Sequence, residues 1–122
     1  MPVPGLTILV AVGDAERLHA ALSFAAAAAA TGDPVSLHLH EGAVGLLRVP
    51  MMAPGDTARR KAGLPDLAQM WEEALALGVA VSVCQSGLAL SGLSLEGLDP
   101  RIEAQGPLGL LARTGAGRML VF

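Results

Sequence analysis

Val79-Ala80-Val81-Ser82-Val83-Cys84-Gln85-Ser86-Gly87-Leu88-Ala89-Leu90 is the stretch that decides the fold. The five residues from Val79 read as a buried strand, and those from Gln85 as the opening turn of a helix. A strand running straight into a helix is the repeating unit of an α/β domain with a largely parallel sheet. Cys84, the only cysteine in the chain, stands at the junction. A thiol placed there faces the free backbone N–H groups and the positive dipole end of the helix, and both favour thiolate.

Working outward, the same alternation recurs. Leu6 to Val12 is a short apolar run with β-branched residues between Gly5 and Gly13, fitting a strand buried on both faces. Asp14 follows as a helix N-cap with Glu16 in the first turn, and the helix runs to about Ala30 before Gly32. Asp33-Pro34 turns the chain into a second strand, Val35 to His40, and Glu41 to Leu47 suggests a short helix. Arg48 to Gly63 reads as a long loop, broken by Pro50, Pro54 and Gly55. Leu67, Met70, Trp71, Ala74 and Leu75 then recur at the spacing of one helical face, with Pro65 near the start and Gly78 at the end. Further on, Ile102 to Ala104 reads as a short strand, Pro107 to Arg113 as a brief helix, and Arg118 to Phe122 as a final buried strand. The expectation is one α/β domain over residues 1–122.

Hydrophobic residues make up 52% of the chain and charged residues 16%, against about 25% charged in an average soluble protein. That shortage of charge predicts a homo-oligomer that hides apolar faces between subunits. A net charge of -3 and three scattered aromatics, Phe24, Trp71 and Phe122, offer neither a basic stripe nor a stacking platform, so nucleic acid is not an expected partner. The stretch from Ala74 to Leu95 is uncharged, but three glycines, Gln85 and four serines interrupt it and acidic residues flank it, which argues against a membrane span. A single cysteine and no basic, apolar signal segment at the N-terminus lead to a cytoplasmic expectation.

In open parallel sheets ligands gather beyond the carboxyl ends of the strands. The segments there are Gly13-Asp14, His40-Glu41-Gly42, Cys84-Gln85-Ser86 and Gln105-Gly106. Cys84 is the candidate nucleophile. Gln85, Ser86, Gly87, Asp14, His40 and Glu41 are the candidates for a surrounding pocket that stabilises the thiolate. A lone cysteine is more often an inert small hydrophobe, and it is the junction that raises this one above that reading. His38 and His40 lie two apart on one strand and share a face. With Glu41 and Cys84 they sketch a metal site, but no CxxC or HExxH spacing supports it, so no metal and no organic cofactor is expected. His38 reads as a sheet histidine and His19 as a solvated or packed helix residue. Arg59, Arg60 and Lys61 read as a solvated cluster that could also swing over the site, and Met51-Met52 as loop packing or a partner contact. The alanine run at positions 25–30 is structural. No GxGxxG between strand and helix, no GxxxxGK[ST] and no GxSxG occurs, so nicotinamide redox chemistry, nucleotide hydrolysis and serine hydrolysis lose their usual signatures.

The order and spacing of these segments resemble the DsrE/DsrF-like family of small sulfur-transfer proteins. The resemblance covers nearly the whole length. It runs from Leu9-Val10-Ala11-Val12-Gly13-Asp14-Ala15-Glu16-Arg17-Leu18 through Thr31-Gly32-Asp33-Pro34-Val35 and Leu64-Pro65-Asp66-Leu67 to the segment ending in Val83-Cys84-Gln85-Ser86. Gly106-Pro107-Leu108-Gly109-Leu110-Leu111 and Gly117-Arg118-Met119-Leu120-Val121-Phe122 close it. It implies a flavodoxin-like three-layer sandwich of about five strands, assembled as a trimer or hexamer. It also implies that Cys84 matches the position carrying a persulfide in sulfur-relay members. The expected activity is sulfur transfer through Cys84, between donor and acceptor proteins or small thiols. A second cysteine near the C-terminus is absent, which excludes a two-cysteine mechanism. The rival readings are an oligomeric binding module in which Cys84 does no chemistry, and a thiol redox sensor.

Overall fold

The computed structural model describes residues 5–122. Along the chain come β1 (Leu6–Val10), α1 (Ala15–Ala30), β2 (Val35–Leu39), a 3-10 segment (Glu41–Leu47), α2 (Asp56–Lys61) and α3 (Leu67–Ala76). They are followed by β3 (Ala80–Val83), α4 (Gln85–Ser91), a 3-10 turn (Leu95–Gly97), β4 (Ile102–Ala104), α5 (Pro107–Thr114) and β5 (Arg118–Val121). All strands are parallel, in the order β4-β3-β2-β1-β5. The expected α/β sandwich on a five-stranded parallel sheet is the observed one.

Strand register sorts the sheet into two unlike faces. Leu120, Ile8, Leu37, Val81 and Ile102 form one row across it, and the next row, on the opposite face, is Val121, Leu9, His38, Ser82 and Glu103. The first face is apolar and the second is largely polar. Crossovers between parallel strands are right-handed. Because β1 to β4 advance in one direction and β5 returns beside β1, the β4–β5 crossover falls on the opposite face from the others. α1 and α3 pack against each other over the apolar face, where Leu18, Leu22, Leu67 and Ala74 are fully buried with Ile8 and Leu37. α5 lies on the polar face, tied to it by a 2.8 Å hydrogen bond between the Thr114 and Thr7 hydroxyls.

The helix boundaries have local causes. Asp14 Oδ1 accepts the N–H groups of Glu16 and Arg17, and Gly32 ends α1 at φ 94°. Asp66 and Gln69 form a reciprocal capping box at the start of α3. The heptad-like apolar positions Leu67, Met70, Trp71, Ala74 and Leu75 are the buried face of α3, as their spacing predicts.

Two expectations need correction. The segment 48–63 is not continuous loop: it contains α2, where Asp56 stands in the first turn and Arg59, Arg60 and Lys61 in the last, complementing the helix dipole. The Asp56 carboxylate is buried and accepts N–H groups from Ala53 and Leu67 at 2.9 and 3.0 Å, which stitches α2 to the start of α3. The other correction concerns β5. It is an edge strand, with Arg118, Leu120 and Val121 exposed, rather than a buried one. A short apolar run identifies a strand but not its place in the sheet. Among the described residues no helix is long and apolar enough to cross a membrane.

Replacing Asp66 by alanine removes the side-chain half of the capping box, so the variant is expected to lose about 1 kcal/mol of stability in urea denaturation. Its ion pair with Arg60 is at the surface and adds little to that figure.

Candidate functional site

Helices on the apolar face leave from the ends of β1, β2 and β3, while the chain leaving β4 goes to the other face. In parallel sheets, ligands gather at adjacent strand ends whose chains diverge in this way, here those of β3 and β4. Cys84 closes β3 at this point and is the N-cap of α4. Its backbone is extended (φ -85°, ψ 151°), which turns the side chain back over the first turn of the helix.

Two backbone donors reach the sulfur, and a hydroxyl oxygen lies near it. The Gly87 N–H lies 3.3 Å from Sγ, the Glu41 N–H 3.1 Å and the Ser86 hydroxyl 3.6 Å. Cys84 is only 3% exposed and belongs to the hydrophobic core cluster, so its sulfur sits where core side chains such as Val44 meet two backbone N–H donors. Partly exposed His40 and Glu41 border it. Two N–H donors aimed at one sulfur are the kind of arrangement that favours negative charge there.

The residue that supplies the 3.1 Å donor has an unusual backbone. Glu41 sits at φ 49°, the left-handed region, and among the described residues it is the one non-glycine residue there. Strain of this kind costs on the order of 1–3 kcal/mol and gathers at functional sites. The extended His40 (φ -112°, ψ 138°) sets the peptide plane whose Glu41 N–H faces Sγ, and the left-handed φ of Glu41 turns its side chain so that the carboxylate accepts the Ser86 hydroxyl at 2.6 Å. The same turn brings His40 Nε2 to 3.8 Å from Glu41 Oε1. The ligand atoms of His40, Glu41 and Cys84 all lie within 4.8 Å of one another.

α4 reaches this position because residue 87 has no side chain. A Cβ there would stand 2.3 Å from Val44 Cγ2, 2.7 Å from the Glu41 carbonyl oxygen and 3.0 Å from Cys84 Sγ. At the far end of α4, the Arg48 guanidinium donates to the Ser91 carbonyl, so the helix is held along the 3-10 segment at both ends.

The structure therefore brings together Cys84, Ser86, Gly87, His40 and Glu41 from the sequence-derived set. Asp14 and Gln85 are placed otherwise. The Asp14 carboxylate caps α1, and Gln85 is exposed, the N–H groups at sulfur being those of Gly87 and Glu41. Sequence reasoning pointed to amides of residues 85–87 and missed the Glu41 amide, because it reaches the sulfur only through the pairing of β2 with β3. Nor do Arg59 and Arg60 serve the site: Arg59 pairs with Glu16 and Asp56, and Arg60 with Asp66. His19 Nε2 is bonded to the Pro65 carbonyl, a packing role.

Next to the crevice, on the polar face, lies a small cleft of about 200 Å3 lined by Leu9, His38, His40, Pro107, Leu110, Leu111 and Met119. His38 is fully buried; its Nδ1 is 2.8 Å from Ser82 Oγ on β3, and its Nε2 has no hydrogen-bond partner among the described residues. A larger cleft of about 420 Å3, between Val49–Met51, Trp71 and Leu98–Asp99, has neither thiol nor imidazole in its lining.

A model of the DsrE/DsrF-like family matches residues 5–112. The chain belongs to this family. Solved structures agree on the fold. The YchN protein of E. coli superposes with a TM-score of 0.76 at 22% identity, covering 98% of this chain and 100% of that one. A protein of unknown function from Methanobacterium thermoautotrophicum, MTH1491, superposes with a TM-score of 0.67 at 15% identity over 98% and 100%. No curated protein matches the chain. For this DsrE/DsrF-like domain the likeness to those structures carries the sandwich and its topology, and the chemistry has to come from the site.

Two measurements check this geometry. Glu41→Gly removes the left-handed penalty and is expected to raise stability by about 1 kcal/mol in urea denaturation, in contrast to the usual loss on introducing glycine. The second concerns His38, whose pKa burial, and then the neighbouring His40 charge, push down to about 4. The unfolded chain binds that proton near pH ~6.5 and the fold does not, so this contribution is complete above ~6.5 and is lost as pH falls toward 4. Between pH 6.5 and 4.5 the wild type is expected to lose on the order of 2 kcal/mol more than His38→Asn, measured by denaturation at each pH.

Proposed function

We propose that this protein is a sulfur carrier that holds a persulfide on Cys84. The observation that carries the reading is the convergence of the Glu41 and Gly87 N–H groups on Cys84 Sγ at the start of α4. Membership of the DsrE/DsrF-like family supports a sulfur-relay role. In the loading step the Cys84 thiolate attacks the terminal sulfur of a donor persulfide, R–S–SH. The new S–S bond gives Cys84–S–SH, and the donor's S–S bond breaks with its electron pair leaving on R–S⁻. In the unloading step an acceptor thiolate takes that terminal sulfur and the Cys84 thiolate returns. The same amide donors serve the leaving thiolate in the second step, so one set of dipoles favours both directions. Donor and acceptor are proteins or small thiols, and the reaction needs no metal or organic cofactor.

Exposed apolar side chains at Phe24, Leu108, Leu111 and Val121 support assembly into a homo-oligomer, proposed as a trimer or hexamer. A carrier with one thiol also suits a reducing cytoplasm, where that thiol stays free.

The alternative reading, a binding module in which Cys84 does no chemistry, has its own observation: the small cleft lined by His38, His40 and α5. Incubation with a small persulfide donor followed by intact mass measurement separates the two. The wild type is expected to gain one sulfur, removable by dithiothreitol, and Cys84→Ser none. An unloaded wild type, under a donor that loads a control carrier protein, overturns the proposal in favour of the module.

A further inference from the structure

We infer that His40, Glu41 and Cys84 form a three-ligand site for a thiophilic divalent cation of the zinc type. The inference does not rest on sulfur transfer; it uses the same sulfur for a different ligand.

The argument begins with the backbone. Successive residues of an extended chain point to opposite sides, so neighbours such as His40 and Glu41 do not ordinarily share one ligand. His40 is extended (φ -112°, ψ 138°), but Glu41 is left-handed at φ 49°. That turn brings the two side chains together and aims both at the mouth of β3, where Cys84 stands. All three ligand atoms fall within 4.8 Å of one another, with His40 Nε2 and Glu41 Oε1 at 3.8 Å. Bond lengths of about 2.0–2.3 Å to a tetrahedral zinc place its ligand atoms roughly 3.3–3.8 Å apart. Small side-chain rotations therefore close the set around an ion.

The donor chemistry selects the cation. Thiolate and imidazole favour zinc-like ions and disfavour magnesium and calcium, which take oxygen ligands. One thiolate and one carboxylate also neutralise a divalent charge. The supporting contacts are in place: Ser86 Oγ orients the Glu41 carboxylate at 2.6 Å, and the amides of Glu41 and Gly87 donate to the sulfur. Groups of this kind fix ligand orientation and tune the metal. Three protein ligands leave a fourth position open, as in zinc sites that bind an exogenous ligand.

The test uses cobalt(II) as a spectroscopic substitute, added to the reduced full-length protein in a non-chelating buffer. The wild type is expected to develop a thiolate-to-cobalt charge-transfer band and intense tetrahedral visible bands, saturating at one equivalent per chain and displaced by zinc. Cys84→Ser should lose the charge-transfer band. His40→Ala and Glu41→Gln should each weaken binding at least about tenfold, and His19→Ala, which alters an imidazole outside the cluster, should leave the titration unchanged. Circular dichroism of each variant checks that it is folded. The inference is overturned if the wild type gives no charge-transfer band at millimolar cobalt, or if folded His40→Ala titrates like the wild type. Sulfur loading is read separately by mass on metal-free protein, so either idea can fail without the other.

Discussion

The site depends on how closely α4 approaches the 3-10 segment, and that approach is limited by one missing side chain. With any Cβ at position 87, Val44 and the Glu41 carbonyl would have to move, and α4 would stand off from the end of β2. The Glu41 amide would then point into space, and Cys84 would keep only the donors of its own helix. Gly87 thus joins two strand ends into one site. The rest of the arrangement follows from that contact: the bent backbone at Glu41, the hydrogen bond from Ser86 to its carboxylate, and the placement of His40.

Sheet topology explains why the meeting occurs where it does. Three crossovers on one face and one on the other divide the chain beyond β3, and the segments after β2 and β3 are neighbours because their strands are paired. α1 and α3 cover the middle of the apolar face, while α4 and the 3-10 segment pack on each other at the strand ends around Val44 and Leu88. Stability and chemistry are therefore carried by different parts. The apolar layer under α1 and α3 is filled by residues such as Leu22, Leu37 and Leu67, whereas a few polar contacts at the upper rim set the sulfur's environment.

Much of this was legible in the residues. The run Val79–Val83 followed by Cys84 located both β3 and the candidate nucleophile, and the spacing of Leu67, Met70, Trp71, Ala74 and Leu75 gave the buried face of α3. His40 and Glu41 were recognisable because they follow a strand. What could not be read were features set by tertiary contact. α2 is only six residues long and is held by Asp56, a buried carboxylate whose partners come from Ala53 and Leu67. β5 has the composition of an inner strand and the position of an outer one. The left-handed Glu41 carries no sequence mark, and Asp14, equally well placed at a strand end, gives its carboxylate to the helix that follows it.

The polar row Leu9, His38, Ser82 and Glu103 has one more implication, for how the sheet is aligned. A shift of β2 by a single residue against its neighbours would turn His38 and Ser36 into the greasy layer beneath the large helices and push Leu37 to the opposite side. The hydrogen bond between His38 and Ser82 would be lost in the same movement, leaving both groups stranded. Each of these penalties is steep, and they act together. An imidazole that takes no part in the reaction thus works as a ratchet pawl, admitting one alignment of β2 and β3 and thereby holding His40 and Cys84 level with each other.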